Sequence, residues 1–206
     1  IIRDNLLYNN SDAGITTAQR AGYNEGDNAD AISISSGSFN LIEHNEIYGN
    51  SDDGVDSWRS NDTMVFNNLV YDNGRGVKGN GNGIKLGGNS DPASTNGLRS
   101  KAYFNIVLNN KAAGIVQNSG KEIVVKHNVS YNNIGIGYGI GPGIEVTNNI
   151  SLLNSSDDYY PNDVNRINNN WQVVDTLEFL NLDISKHSLL KPKKDIGFNN
   201  IGAYIQ

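Results

Sequence analysis

The 206-residue chain has no cysteine, one methionine, four prolines and three histidines. Without cysteine there is no disulfide frame, no thiolate nucleophile and no thiolate metal site. Charged residues make up only 18%, which excludes a polyelectrolyte tail. No apolar run reaches the roughly 18 residues that a membrane-crossing helix requires, so no membrane partner is expected. Lys and Arg number 16 against 22 Asp and Glu, a net charge of -6. An acidic chain lacks the basic stripe that grips phosphate, so nucleic acid is not expected as a partner either. What is abundant is Asn, at 34 residues, and Gly, at 23. Asn is poor in helix interiors and in ordinary strands. An ordered fold that uses it so often must have a regular place for it.

That place is a repeat. A unit with Asn at both ends, five positions apart, occurs as Asn5 to Asn10, Asn45 to Asn50, Asn68 to Asn73, Asn105 to Asn110, Asn128 to Asn133 and Asn149 to Asn154. A second unit, a small residue followed by a β-branched one, precedes most of these starts by fourteen residues. It reads Ala31-Ile32, Gly54-Val55, Gly114-Ile115 and Gly135-Ile136, with Gly83-Ile84 joining if residues 89–98 carry an eight-residue insertion. The bare coil is then 21 to 23 residues, with insertions at 11–28, 74–80 and 89–98. Short alternating strands, no helical period before residue 170 and no LxxLxL frame favour a parallel β-helix over a leucine-rich repeat. Strands of three to five residues are expected, turning at Gly or Asn. Stacked Ile, Val and Leu should fill the core, and turn Asn side chains should form a hydrogen-bonded ladder. The expected organisation is an all-β solenoid over 1–154, followed by a loop-rich C-terminal cap over 155–206. Within that cap, Leu177 to Leu190 would lie over the last coil. The chain starts in mid-pattern at Ile1, so upstream coils are expected before it.

Aligning the coils on the small residue brings chemistry to one corner. Asp30 stacks under Asp53 and Asp56 under Lys85, each about 4.8 Å apart at strand spacing, and Asp52 adds a carboxylate. Because the residue after the Gly faces the core, Asp56 and Lys85 should face solvent. Asp residues so crowded repel unless a positive charge sits among them. A hard dication such as Ca²⁺ suits an all-oxygen set, and the lack of histidine in this cluster argues against zinc. Asx-turns are the other use of such aspartates, and an ion pair with Asp56 the other use of Lys85. Glycines around Lys85 leave room for a ligand, and lysine becomes a usable base when its pKa is depressed.

Three segments, NADAISI (28–34), NSDDGVDSW (50–58) and GNGIKLGG (81–88), resemble the family-nine polysaccharide lyases. These are calcium-dependent pectate lyases with a right-handed parallel β-helix, whose corresponding elements read approximately NADGF, NSDDGWD and GNGFKLGG. The resemblance runs from about Asn5 to Asn154. It implies Ca²⁺ ligation by Asp30, Asp52, Asp53 and Asp56, and a Brønsted-base role for Lys85. It also implies β-elimination on an acidic polysaccharide, most simply polygalacturonate, by a secreted and monomeric enzyme. Ala31, Val55 and Ile84 stand where the family has Gly, Trp and Phe, which bears on substrate fit. Arg59, Arg75, Lys78 and Lys101, near the adjoining turns, are candidates for gripping further carboxylates. A lyase of another uronan such as alginate, and a non-catalytic calcium-stabilised carbohydrate-binding β-helix, remain alternatives. A hydrolase is disfavoured, since it needs two carboxylates flanking one bond rather than four packed together.

Overall fold

The computed structural model describes residues 1–14, 28–88 and 97–156, together with the backbone of strands Asn165–Ile167 and Asn170–Trp171. Among the described residues every strand is two or three residues long, shorter than the repeat suggested, and every pairing is parallel. The strands form three sheets of seven, seven and five members. Successive strands of the chain fall in different sheets, and each pairs with its counterpart one coil away. This is a parallel β-helix. The first sheet runs through Ile2–Arg3, Leu41–Glu43, Met64–Phe66, Lys101–Tyr103, Val124–Lys126 and Glu145–Thr147. The second contains Leu6–Tyr8, Glu46–Tyr48, Leu69–Tyr71, Ile106–Leu108, Val129–Tyr131 and Ile150–Leu152. The third contains Ile32–Ser33, Val55–Asp56, Ile84–Leu86, Ile115–Gln117 and Tyr138–Gly139. Beyond residue 154, Asn165–Ile167 and Asn170–Trp171 extend the first two sheets. Residues 177–190 lie outside the described residues.

Each sheet sends one row of side chains inward. Ile42, Val65, Ala102, Val125 and Val146 line up on the first, Ile47, Val70 and Val107 on the second, and Ile32, Val55, Ile84, Ile115 and Tyr138 on the third; all are buried. With three-residue strands there is little ladder per strand, so the core rows and the corners must hold the register.

The corners do so with amides. Asn68 donates both its backbone N–H and its Nδ2–H to Oδ1 of Asn105, each at 3.0 Å. Asn105 repeats this to Asn128, and Asn128 to Asn149. A second column passes through Asn10, Asn50, Asn73, Asn110, Asn133 and Asn154. Both ends of the sequence repeat are thus ladders, at the two corners flanking the second sheet. Before each ladder Asn the chain turns through a residue with φ between 52° and 68°. Gly and Asn were expected there, yet His44, Phe104, His127 and Leu153 also adopt this conformation. A left-handed bulky residue is strained, and the amide pair on its C-terminal side supplies the counterweight.

The last strand of the third sheet departs from the expected alignment. Ile115 pairs with Tyr138, so Gly137-Tyr138, and not Gly135-Ile136, stacks on Gly114-Ile115. The reason is the ladder: Asn133 to Gly137 repeats the spacing of Asn110 to Gly114, while the coil loses two residues between Gly137 and Asn149. Tyr138 then fills the core, fully buried, with its hydroxyl donating to the Ile150 carbonyl.

Replacing Asn105 with Ala would leave the Asn68 backbone N–H without its acceptor in a buried corner and strip the Val65 carbonyl of its Nδ2 donor. Urea denaturation should show a loss of about 3 kcal/mol, whereas Asn109→Ala, four residues later and half-buried, should cost under about 1 kcal/mol.

Candidate active site

The cluster forms where the chain passes from the second sheet into the third. Gly83 is required there because a Cβ would collide with Val107 and approach the Gly114 carbonyl at 2.8 Å. Coils at this corner therefore stack backbone on backbone, and acidic residues preceding the small residue are brought into line. The Asp53 N–H donates to Asp30 Oδ1 at 3.0 Å. Asp53 Oδ1 accepts from the Asn82 N–H at 2.7 Å and from Asn82 Nδ2 at 3.0 Å. Asp52 Oδ1 accepts the Asn80 N–H at 2.5 Å. Carboxylate oxygens of Asp30, Asp52 and Asp53 all lie within 4.8 Å of one another.

Asp56 and Lys85 stack as neighbours in the third sheet. Both point away from the core, as alternation requires, but they do not stand in open solvent. Asp56 is buried, and the Lys85 side chain is 15% exposed. Charge explains the difference: Lys85 Nζ folds onto Asp53 Oδ2 at 3.0 Å and Asp56 Oδ2 at 2.8 Å, closing the face over them. The other Asp56 oxygen, Oδ1, is buried and has no hydrogen-bond partner.

The electrostatics follow from burial. Desolvation, then the charges of Asp53, Asp52 and Asp56, push Asp30 up to about 7. Desolvation and the Asp53 charge push Asp52 up to about 7 as well, against the Asn80 N–H and the Lys85 charge. Asp56 is raised by burial despite its bond to Lys85. For Lys85, burial acts to lower the ammonium, but the charge of Asp53 and the bond and charge of Asp56 outweigh it and hold it above the ordinary lysine value. The corner is starved of positive charge.

These residues line a cleft of about 370 Å³ bounded by Asn28, Asp30, Ser33, Ser35, Asp52, Asp56, Trp58, Asn80 and Lys85. Its wall is polar, with hydroxyl and amide groups around the carboxylates and one large aromatic. No family model matches the chain, and no curated protein matches it either. Among solved structures, the chain is similar to the crystal structure of pectate lyase Pel9A, with 25% identity and a TM-score of 0.66. The match covers 87% of this chain and 45% of that one. This is a pectate-lyase-like β-helix. The chain spans less than half the length of the protein it matches.

The other expected residues are placed differently around this corner. Arg59 is exposed beside the cleft, its guanidinium 5.4 Å from the centroid of the Trp58 ring. Arg75 lines a separate pocket of about 260 Å³ with Asn9, Asp12, Gly49, Ser51 and Val77. Lys78 is exposed in the 74–80 segment, and Lys101 begins a strand of the first sheet, on another side of the solenoid. None of the four lines the cleft.

Trp58 and Asn80 were not singled out from the sequence. Trp58 packs against Gly88, where any Cβ would strike its ring. Its signal was its position, two residues after Asp56 in the NSDDGVDSW segment. For Asn80 the contribution is a backbone N–H, which no side-chain reading reveals.

The raised carboxylates give a pH signature in the presence of chelator. Asp30 and Asp52 bind protons in the native state up to about 7 but in the unfolded chain only near 3.8. The native state therefore holds more protons across that window, and stability must fall as pH rises through it. Melting temperature in chelator should decline from the lower end of the window to above 7, and Asp30→Asn should flatten the decline; a flat wild-type profile would contradict the assignment.

Proposed function

We propose that this protein is a polysaccharide lyase that cleaves polygalacturonate by calcium-assisted β-elimination, with Lys85 as the base. The observation that carries this reading is Lys85 Nζ, set between Asp53 and Asp56 at 3.0 and 2.8 Å beside a three-carboxylate group in an open cleft. A site that served only to hold a structural cation has no need of that lysine. Similarity to a pectate lyase over most of this chain supports the same reading.

The donor set fits Ca²⁺. It is all oxygen, it contains three mutually close carboxylates, and its fourth member, Asp56, has a buried oxygen with no partner. Asp30, Asp52, Asp53 and Asp56 would hold the ion, which when bound supplies positive charge to neutralise a uronate C6 carboxylate and the enolate that forms from it. With their charge shared in this way, Asp53 and Asp56 would no longer hold the Lys85 ammonium, and neutral Nζ could accept a proton. Nζ takes the proton from C5. The electron pair of that bond becomes the C4–C5 double bond as the C4–O4 bond breaks. The departing O4 takes a proton from solvent, and the new chain end is a 4,5-unsaturated uronate. Trp58 offers an apolar face for a sugar ring, and Ser33, Ser35 and Asn28 offer partners for its hydroxyls. An acidic protein thereby binds an acidic polymer, because cation and lysine together provide the charge that the chain as a whole lacks. A polymeric substrate of this kind is met outside the cell, so secretion accompanies this reading, with a monomer sufficient to form the site.

The test is accumulation of the ultraviolet-absorbing unsaturated product from polygalacturonate at alkaline pH. Signal should require Ca²⁺, vanish in chelator, and fall at least about a thousandfold in Lys85→Ala, the scale of a lost general base. Product from alginate but not pectate would move the substrate and keep the chemistry. Silence on every uronan, with Ca²⁺ still raising the melting temperature, would leave a structural cation site and end the lyase reading. Trp58→Ala should raise KM severalfold with little change in kcat, as expected for a group that binds substrate and transition state alike.

A further inference from the structure

The insertion in the third coil, residues 74–80, is tied at its start to the coil before, where the Gly74 and Arg75 N–H groups donate to the Asn50 carbonyl and the Gly76 N–H to the Ser51 carbonyl; past Gly76 it has few side chains with which to fix itself. In the eight residues 74–81, Gly occupies positions 74, 76, 79 and 81, and such a chain has wide backbone freedom unless something outside restrains it. Its neck is closed backbone to backbone. A Cβ on Gly74 would lie 2.6 Å from Gly81 Cα, and both glycines have positive φ, 91° and 77°.

Across that neck lies Lys111, from the next coil. Its Cβ would stand 2.6 Å from a Cβ on Gly74 and 2.7 Å from one on Gly81, so its stem covers the closure. Its backbone N–H donates to the Asn73 carbonyl at 3.0 Å, which anchors it to the ladder. Its Nζ donates to the Gly76 carbonyl at 3.0 Å and to the Gly79 carbonyl at 2.9 Å. The Gly79 carbonyl shares its peptide group with the Asn80 N–H, which holds Asp52 Oδ1. One short covalent and hydrogen-bonded path therefore joins the Lys111 ammonium to a carboxylate of the cluster, although Lys111 is absent from the cleft.

We propose that Lys111 is a positioning residue for Asp52. By clamping the 74–80 loop through two carbonyls, it fixes the Asn80 N–H, which turns the Asp52 carboxylate towards Asp30 and Asp53. Lysine suits the task because an ammonium has three donors and no acceptor, and two carbonyls converge on it. Charged donors also form the stronger hydrogen bonds. The inference rests on the proposal that this cluster binds a dication.

The sign of the effect separates positioning from charge. Removing a cation near a Ca²⁺ site lessens repulsion and should tighten binding. Loss of positioning should weaken it, by about tenfold for a partner outside the ligand shell. The experiment is calorimetric titration of the full chain with CaCl₂, comparing wild type, Lys111→Met, Asp52→Asn and the double variant, with melting temperatures in chelator alongside. Lys111→Met keeps the stem over the glycines and removes only the donors. It should weaken Ca²⁺ binding about tenfold with little change in chelator melting temperature, and should add nothing in the Asp52→Asn background, because the two act through one path. Unchanged or tighter binding in Lys111→Met, or an additive loss in the double variant, would overturn the inference while leaving the metal site standing. No Ca²⁺ binding by the wild type would overturn both.

Discussion

Stacked amides at two corners of the coil are the constraint on which this structure depends. Three-residue strands offer few hydrogen bonds each, and one-residue slippage between coils would turn core residues outward. The ladder Asn residues prevent that by spending an Oδ1 on two donors of the coil before and Nδ2 hydrogens on the coil that follows. Burial makes the arrangement strict, since an amide displaced by one residue would lose its partners in a place that water cannot reach. The same amides compensate the left-handed turns at His44, Phe104 and His127. Register in this solenoid is thus imposed at the corners, and the core rows follow.

Register in turn makes the site. No single coil contains the acidic cluster: Asp30, the Asp52–Asp56 segment and Lys85 come from three successive turns of the helix. Their approach is a consequence of strand spacing, and the repulsion among them is tolerated because the corner is held from outside by the ladders. Folding energy from elsewhere maintains a concentration of negative charge that would not assemble alone, which is how binding sites for hard cations are preorganised. The raised pKa values of Asp30 and Asp52 are the electrostatic expression of that strain. The close contact of Lys85 with Asp53 and Asp56 is its partial relief.

Much of this was legible in the chain. The paired Asn positions, five apart, marked both corners, and the small residue before Val55 and Ile84 marked the entry to the third sheet. From those alone the register of Asp30 on Asp53 and of Asp56 on Lys85 could be counted. The counting failed at the last strand of the third sheet because Gly135-Ile136 and Gly137-Tyr138 carry the same small-then-bulky pattern. Only the Asn133 amide, bonded to Asn154 and accepting from Asn110, distinguishes them. The burial of Asp56 and Lys85 was also hidden, since alternation says which side of a strand a residue takes and nothing about what folds over it.

The sequence by itself determined the coil, its two Asn corners and the company that the aspartates keep, because all of these follow from spacing along the chain and a fixed rise between coils. Tertiary structure alone decided the rest: the 74–80 loop closing back so that a peptide N–H meets Asp52, Trp58 settling against Gly88, and Lys111 reaching across from the next coil. Those depend on where an insertion lands and how side chains fill space around glycine, and neither is periodic. A repeat specifies what recurs. The cleft joins that register to what does not recur.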